Sequence, residues 1–190
     1  SAIYFVGVPF IMISGIIQIF YSTNKINRLL QRTSAIGQKL TGKLNVKEVL
    51  DLFVKEITAF FDVDYTYIYD VTNSNESLSL IRYVEGEKQS KTPTIVLKKF
   101  EGIAGTVYGE KEGKFFHSRK QWTKQIADYT IPEDGESIIS VPVRRDEKVV
   151  GIITIVSKRK WTYEKHHFML LDILSNYLAV AIENARHYEN

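Results

Sequence analysis

The pattern of apolar and polar positions divides this chain into an apolar start, an alternating middle and a helical end. The stretch Ala2–Tyr21 contains no charged residue. Between Tyr65 and Val156, several short runs are rich in β-branched and aromatic residues, as β-strands are. In some of these runs the side chains alternate with the period of two that is typical of β-strands. The pattern predicts strands at Tyr65–Val71, Leu78–Val84, Thr94–Phe100, Lys114–Ser118, Ser137–Val143 and Val149–Val156.

Helical spacing flanks these strands. Asn45 and Glu48 form a capping-box pattern at the start of a helix. Its apolar face comprises Val46, Val49, Leu50, Phe53, Ile57 and Phe60. A short helix is predicted at Gly102–Gly109, a helical turn at Trp122–Tyr129, and a last helix after Thr162, a candidate N-cap. These elements predict an α+β fold, a central antiparallel sheet with helices packed on it. The helices at the two ends of the domain are expected to lie side by side on one face.

The uncharged start has the features of a membrane span. A helix over Ala2–Tyr21 is long enough to cross a hydrocarbon layer of roughly 30 Å. A secretory signal has a basic start and a shorter apolar core, and neither is present. We predict a transmembrane helix at residues 1–22. Lys25, Arg28 and Arg32 follow it, so the protein is expected in the cell membrane with its folded domain in the cytoplasm.

Two apolar seams with alternating spacings of three and four indicate helix association. The first, in a predicted linker helix over residues 23–41, comprises Ile26, Leu29, Thr33, Ile36 and Leu40. The second comprises Leu171, Leu174, Leu178, Ala181, Ala185 and Tyr188. We expect the two seams to pair in a parallel homodimer. The double substitution Ala185→Glu and Tyr188→Glu is expected to disrupt this dimer. A solvated helix leaving the membrane is the alternative for the linker.

The last helix also carries a second apolar line, formed by Ile173, Tyr177 and Val180. One face of this helix can therefore cover the domain's own sheet while another face meets a partner.

Several segments resemble one known family. The order SIISVPV, KVVGIITIVS and NYLAVAIENARHYE is similar to the closing half of GAF domains. GIAGTVY at Gly102–Tyr108 resembles the helix that covers the ligand pocket in that family. The resemblance implies that residues 42–190 form a GAF domain, a sensory module of a longer signalling protein. Because the chain begins at Ser1 without Met, we expect that it is cut from such a protein, with the output domain beyond Asn190.

The resemblance also implies a pocket between the sheet and the Gly102–Gly109 helix. The residues predicted to line it are Tyr67, Tyr69, Arg82, Ile103, Val107, His117 and Tyr129. Arg82 is a candidate anchor for an anionic ligand, although a solvent-facing strand arginine is the favoured explanation for this residue. Cyclic-nucleotide-binding members carry an Asn-Lys-Phe-Asp-Glu signature where this chain has Ser157-Lys158, Trp161 and Tyr163-Glu164. That departure argues against a cyclic nucleotide, and the cofactor or ligand stays unknown.

The amino-acid composition excludes several kinds of site and argues against a nucleic-acid partner. The formal net charge of +3 is too small to indicate a nucleic-acid partner. No cysteine is present, which excludes disulfides, thiolate metal sites and the methionine-sulfoxide-reducing branch of the GAF family. His166 and His167 lack a ligand four residues further along, so no metal site is expected. No catalytic motif is found in the chain.

These observations leave three hypotheses for function. The first is a membrane-anchored cytoplasmic GAF sensor that dimerises through its terminal helices and binds a small ligand to control an output domain. The second is a ligand-free structural GAF domain that holds a dimer together. The third is the regulatory part of an enzyme such as a diguanylate cyclase or a histidine kinase.

Overall fold

The computed structural model describes residues 2–189, with side chains for all of them except residues 2–6 and 89. The chain divides into two compact units, residues 1–35 and 36–190. In chain order the elements are α1 (Ala2–Thr41), α2 (Val46–Phe60), β1 (Tyr65–Val71), β2 (Ser77–Glu85), β3 (Lys88–Gln89), β4 (Val96–Lys98), α3 (Gly102–Glu110), β5 (Lys114–Phe116), α4 (Arg119–Trp122), β6 (Ser137–Arg145), β7 (Lys148–Ser157) and α5 (Lys165–Glu189).

The first unit is helical throughout its described length. The predicted membrane and linker segments belong to one helix, α1, which has no break at residue 22. Its large apolar side chains point outward, as Phe10 and Ile11 do with 74% and 70% of their surfaces exposed. The predicted span begins at Ser1, which lies outside the described residues, as do the side chains of residues 2–6.

Among the described residues, α5 is the helix whose length and composition would allow it to cross a membrane. This helix has 25 residues, and 44% of its most apolar stretch is buried within the protein. Because α5 packs against β6 and α2, it is a core helix of the second unit.

The second unit is built on a seven-stranded sheet whose neighbouring strands are all antiparallel. The strand order is β3-β2-β1-β7-β6-β5, and β4 pairs with the first part of β2. Placing β1 and β7 at the centre agrees with their apolar sequences, since a central strand is buried on both faces. The α+β architecture predicted from the sequence is confirmed.

Several local predictions were wrong in detail. The predicted strand Lys114–Ser118 pairs only at Lys114–Phe116. The predicted strand Thr94–Phe100 forms ladder pairs only at Val96–Lys98. The predicted turn at Trp122–Tyr129 is instead a helix at Arg119–Trp122, because the Ser118 hydroxyl accepts the Gln121 N–H and caps it one turn earlier. Thr162 does not cap the last helix. Its hydroxyl donates to the Arg159 carbonyl oxygen at 2.7 Å, and α5 begins at Lys165.

The helices cover both faces of the sheet. On one face, α2 and α5 lie side by side, as predicted. Asn45 caps α2 by accepting the Glu48 N–H at 2.9 Å. The other face is covered by α3 and by the chain around α4. We call this second side the α3 face. Its buried core includes Tyr67, Tyr69, Ile103, Val107, Phe116, Trp122, Ile131 and Ile138.

Candidate functional site

Tyrosines from adjacent strands form the floor of the α3 face. Tyr67 and Tyr69 alternate with residues of the opposite face along β1, and only 2% of each is exposed. Their rings are parallel with centroids 6.2 Å apart, and the Tyr83 ring lies 5.0 Å from that of Tyr67. Ile103 and Val107 of α3 close over them without any exposed surface. The structure thus brings four of the seven predicted site residues together.

The segment after α4 is hydrogen-bonded to this cluster and to α3. The Tyr67 hydroxyl donates to the Thr130 carbonyl oxygen at 2.8 Å. The Asp128 carboxylate accepts the Ile103 N–H at 2.8 Å and both the N–H and the hydroxyl of Thr130, at 2.9 and 2.6 Å. A carboxylate at the N-terminus of a helix is favoured by the helix dipole. Asp128 therefore holds the first turn of α3 against the tyrosines.

The space between the sheet and α3 is occupied by the protein's own side chains. Trp122 is 1% exposed, and its indole N–H donates to the Glu136 carbonyl oxygen at 3.2 Å. Phe116 and Ile138 complete the packing. Burial raises the pKa of the Tyr67 and Tyr69 phenols above the ordinary value, because a phenolate in this apolar surrounding would lose its hydration. The cluster is a buried core with hydrogen bonds to neighbouring backbone carbonyl groups.

The small residues of α3 have a packing role at this site. A Cβ on Gly105 would lie 2.5 Å from the Lys98 carbonyl oxygen, and a Cβ on Gly109 would lie 2.5 Å from the Phe100 ring. These two glycines let the β4–α3 connection lie directly on the helix. The segment that approaches α3 at these two glycines is the protein's own chain.

Arg82 does not lie on the α3 face. It pairs with Ile68 across the β1–β2 ladder, so its side chain points to the face that carries α2. There its guanidinium forms a salt bridge with Asp51. Because neighbouring residues of a strand point to opposite faces, Arg82 and the Tyr83 ring are separated by the sheet. The expectation that Arg82 shares one pocket with Tyr67 and Tyr69 was wrong.

His117 and Tyr129 also lie apart from the buried tyrosines. The His117 ring stacks on the Trp161 ring with centroids 4.1 Å apart, and its Nδ1 lies 3.2 Å from the Tyr163 carbonyl oxygen. Tyr129 is 74% exposed on the outside of the segment that holds Asp128. Neither side chain forms part of an enclosed site.

Acidic neighbours partly neutralise the basic residues between β7 and α5. Lys158 Nζ lies 3.5 Å from Asp134, and the Lys158 N–H donates to Asp64 at 2.7 Å. Arg159 forms an ion pair with Asp62. Within residues 2–189, no group of three potential metal-ligating side chains is found.

Asp128, Thr130 and Trp122 organise the α3 face but were not among the residues predicted from the sequence. A signal for Asp128 was present, since an aspartate side chain favours an Asx-type turn with the backbone N–H two residues further along. That Asp128 meets α3, 25 residues away in sequence, depends on the tertiary fold.

A profile of the family described as GAF domain matches residues 43–183. The chain therefore belongs to the GAF domain family. A search of curated protein sequences gives no match.

Solved structures of several other proteins share this fold. The GAF domain of Acinetobacter phosphoenolpyruvate-protein phosphotransferase has a TM-score of 0.71 and 21% identity, over 85% of this chain and 96% of that chain. Free methionine-R-sulfoxide reductase from Neisseria meningitidis, in complex with its substrate, has a TM-score of 0.72 and 14% identity, over 86% and 93%. A methyl-accepting chemotaxis protein has a TM-score of 0.64 and 15% identity, over 80% and 97%. At these identities the likeness establishes the fold alone.

Proposed function

We propose that this GAF domain is the signal-transmission module of a membrane-anchored protein and that it acts as a homodimer. The observation that carries the proposal is the exposure of apolar side chains along α1, including Phe10, Ile11 and Phe20. Exposing these apolar side chains to water costs roughly 25 cal/mol for each Å² of apolar area. A lipid bilayer removes that cost, and the same helix continues to Thr41, with the second unit beginning at Ile36.

The charges after the apolar stretch support the orientation of the anchor. Lys25, Arg28 and Arg32 follow Tyr21 within about three turns of helix. By the positive-inside rule these residues face the cytoplasm. The proposed location is therefore the cell membrane, with the GAF domain in the cytoplasm.

The dimer surface that we propose differs from the one predicted on α5. Leu171, Leu174, Ala181 and Ala185 have no exposed surface, and Leu178 has 1%, because the domain's own sheet and α2 cover this seam. Ile36 and Leu40 of the first seam are likewise buried, at 6% and 0%. These buried parts of the predicted seams are therefore not free to pair with a second chain, whereas Ile26 and Tyr188, at the outer ends of the seams, are 48% and 73% exposed.

The opposite side of α5 supplies a different contact surface. Met169 and Val180 are 54% and 50% exposed, and Ile173 between them is half-buried. We call these three residues the outer stripe of α5. They recur at spacings of four and seven, so they lie on one side of the helix. Pairing the outer stripes of two copies hides this apolar surface and joins the helices that leave the two domains.

The filled α3 face favours a module that transmits a signal without a ligand at that position. Tyr67, Tyr69 and Trp122 occupy the place where the sequence predicted a small molecule. A dimer of this kind suits a relay between the membrane and an output such as a diguanylate cyclase or a histidine kinase.

The dimer is tested by sedimentation of a fragment of residues 22–190. We expect the native fragment to be dimeric and Val180→Glu to be monomeric, because the new charge interrupts the outer stripe. Gln125→Glu adds the same charge at an exposed position on the other side of the sheet and should remain dimeric. A native fragment that is monomeric at high concentration contradicts the proposal, and so does a Val180→Glu variant that dimerises like the native chain.

Sensing of a small molecule at the α3 face is the second candidate function. It is favoured by the buried phenols of Tyr67 and Tyr69, which become accessible if the Asp128–Thr130 segment moves away. Native mass spectrometry of the purified protein should then detect a bound molecule. Its release by Asp128→Asn supports this function, and the absence of any bound molecule argues for the ligand-free relay.

A further inference from the structure

A cleft of about 380 Å³ lies between α2 and β2, on the opposite side of the sheet from the tyrosine cluster. Its volume is in the range of small-molecule sites. The helix wall is formed by residues with the spacing of one helical face: Asp51, Val54, Lys55, Thr58 and Ala59. The sheet contributes Arg82 and Val84, and the turn after β2 contributes Glu87. We call this the Arg82 cleft.

The Arg82 cleft is lined by both charged and apolar side chains. Val54, Ala59 and Val84 provide apolar surface. Two cations, Arg82 and Lys55, and two anions, Asp51 and Glu87, provide charges of both signs. Only 16% of the Arg82 side chain is exposed, so its charge acts in a partly desolvated place.

Arg82 is held in position by a carboxylate of α2. Its Nη1 donates to an Asp51 carboxylate oxygen. A guanidinium carries five N–H donors in a planar fork. One hydrogen bond therefore orients the group and leaves its other N–H groups able to donate. Arg82 was the residue that the sequence suggested as the anchor for an anion. The fold moves this anchor away from the tyrosines and into a separate cleft.

We propose that the Arg82 cleft binds a zwitterion of the amino-acid type with an apolar side chain. A carboxylate is recognised by Arg82 and Lys55, an ammonium group by Asp51 and Glu87, and the hydrocarbon side chain by the valines and Ala59. A ligand with a single charge meets two like charges in the same cleft, and these weaken its binding. The balance of two cations and two anions therefore selects a dipolar ligand over a simple anion or cation. This site is separate from the outer stripe of α5 and from the α3 face, and it does not depend on the proposed dimer.

The experiment is calorimetric titration of the full chain in lipid nanodiscs with L-leucine, L-methionine and L-phenylalanine. N-acetyl-L-leucine, which lacks the ammonium group, and L-leucinamide, which lacks the carboxylate, test the need for both charges. We expect at least one of the free amino acids to bind, and its affinity to exceed that of the two blocked leucines about tenfold or more if the charge-assisted contacts form.

Two variants locate the binding. Arg82→Gln should weaken it about 10- to 100-fold, since it removes charge-assisted hydrogen bonds. Ala59→Trp fills the cleft from an exposed helix position and should abolish binding without removing a charge. The matched controls are Arg144→Gln, at another sheet arginine with a helix aspartate 3.8 Å away, and Ala127→Trp, at another exposed alanine. Both controls should bind like the native chain.

Three outcomes overturn the proposal. The first is that none of the three amino acids binds the native chain at millimolar concentration. The second is binding that Ala59→Trp leaves unchanged, which places the ligand elsewhere. The third is equal binding of a blocked leucine, which removes the requirement for a zwitterion. Circular dichroism of each variant shows that the fold is retained, and Ala59→Trp still tests the site if Arg82→Gln does not fold.

Discussion

At the scale of single residues, glycines set how closely α3 approaches the chain that precedes it. The Cα of Gly105 faces the Lys98 carbonyl oxygen, and the Phe100 N–H donates back to the Gly105 carbonyl oxygen at 2.8 Å. A backbone atom cannot rotate away as a side chain does. The contact between β4 and α3 therefore depends on the absence of a Cβ at position 105.

We predict that Gly105→Ala lowers the free energy of unfolding by about 1–3 kcal/mol, because the added methyl group overpacks this contact. Gly42→Ala is the control, since its Cβ would meet its nearest neighbour at an ordinary 3.6 Å. Urea denaturation of the fragment of residues 22–190 measures both. Equal stability of the two variants would contradict the packing role of Gly105.

Buried phenols give the domain a sensitivity to alkaline pH. Burial raises the pKa of Tyr67, Tyr69 and Tyr163 above the ordinary value near 10. Above pH 10 the unfolded chain loses these protons while the folded chain keeps them. The folded state then binds more protons, so its stability falls as the pH rises.

The stability of the fragment should be independent of these three phenols below pH 10 and fall above it. Each phenol that stays neutral in the folded state contributes a loss of about 1.4 kcal/mol per pH unit. Urea midpoints between pH 9 and pH 11 measure the slope. Tyr69→Phe should have a shallower slope than the native fragment, whatever its stability at neutral pH. An unchanged slope would show that the Tyr69 phenol ionises in the folded state.

At the scale of elements, α5 has two sides with different roles. Its inner side is buried in the domain and includes Ser175, whose hydroxyl lies 3.2 Å from the Pro142 carbonyl oxygen. Its outer stripe is exposed at Met169 and Val180. Arg145 of β6 forms a salt bridge with Glu183 near the end of the helix. This division changes which substitutions report on folding and which report on association.

Ala185→Glu is predicted to destabilise the fold, because it places a carboxylate where no surface is exposed. We expect a loss of at least about 3 kcal/mol in the free energy of unfolding. Val180→Glu, on the outer stripe, should leave the unfolding of the monomer nearly unchanged. Thermal unfolding at low protein concentration compares the two. If Ala185→Glu unfolds at the native temperature, the inner side of α5 is not packed as described.

At the scale of the whole molecule, an apolar helical segment and a folded domain occur in one chain. The residues of α1 between Val8 and Tyr21 expose many large apolar side chains, whereas the second unit buries most of its own in two layers around the sheet. The two units therefore call for different surroundings, since burying apolar surface in lipid or in protein is favourable and leaving it in water is not.

We predict that the full chain partitions into membranes and that the fragment of residues 22–190 remains in solution without detergent. Carbonate extraction and flotation with vesicles measure the partitioning. In sealed vesicles, protease accessibility should place the GAF domain on the same side as Lys25 and Arg28. A full chain that stays in solution without detergent would contradict the membrane anchor.

The sequence by itself was sufficient for the features that depend on neighbouring residues. The alternation in Tyr65–Val71 predicted β1 with its observed bounds, and the Asn45–Glu48 pattern predicted the cap of α2. The motifs from Gly102 onward predicted the GAF family, which the match at residues 43–183 confirms. Such signals are local, because strand period, helix capping and turn chemistry act over a few residues.

The tertiary structure decided which surfaces meet. A heptad spacing at Leu171 and Leu174 predicts that a helix face is buried, but a sheet in the same chain and a helix in a second chain satisfy it equally well. The bulge between Ile68 and Tyr69 and the pairing of Ile68 with Arg82 set the faces on which these side chains lie. The meeting of Asp128 with the Ile103 N–H likewise depends on the packing of distant segments. These contacts join residues that are far apart in the chain, and their partners are therefore determined only when the whole core forms.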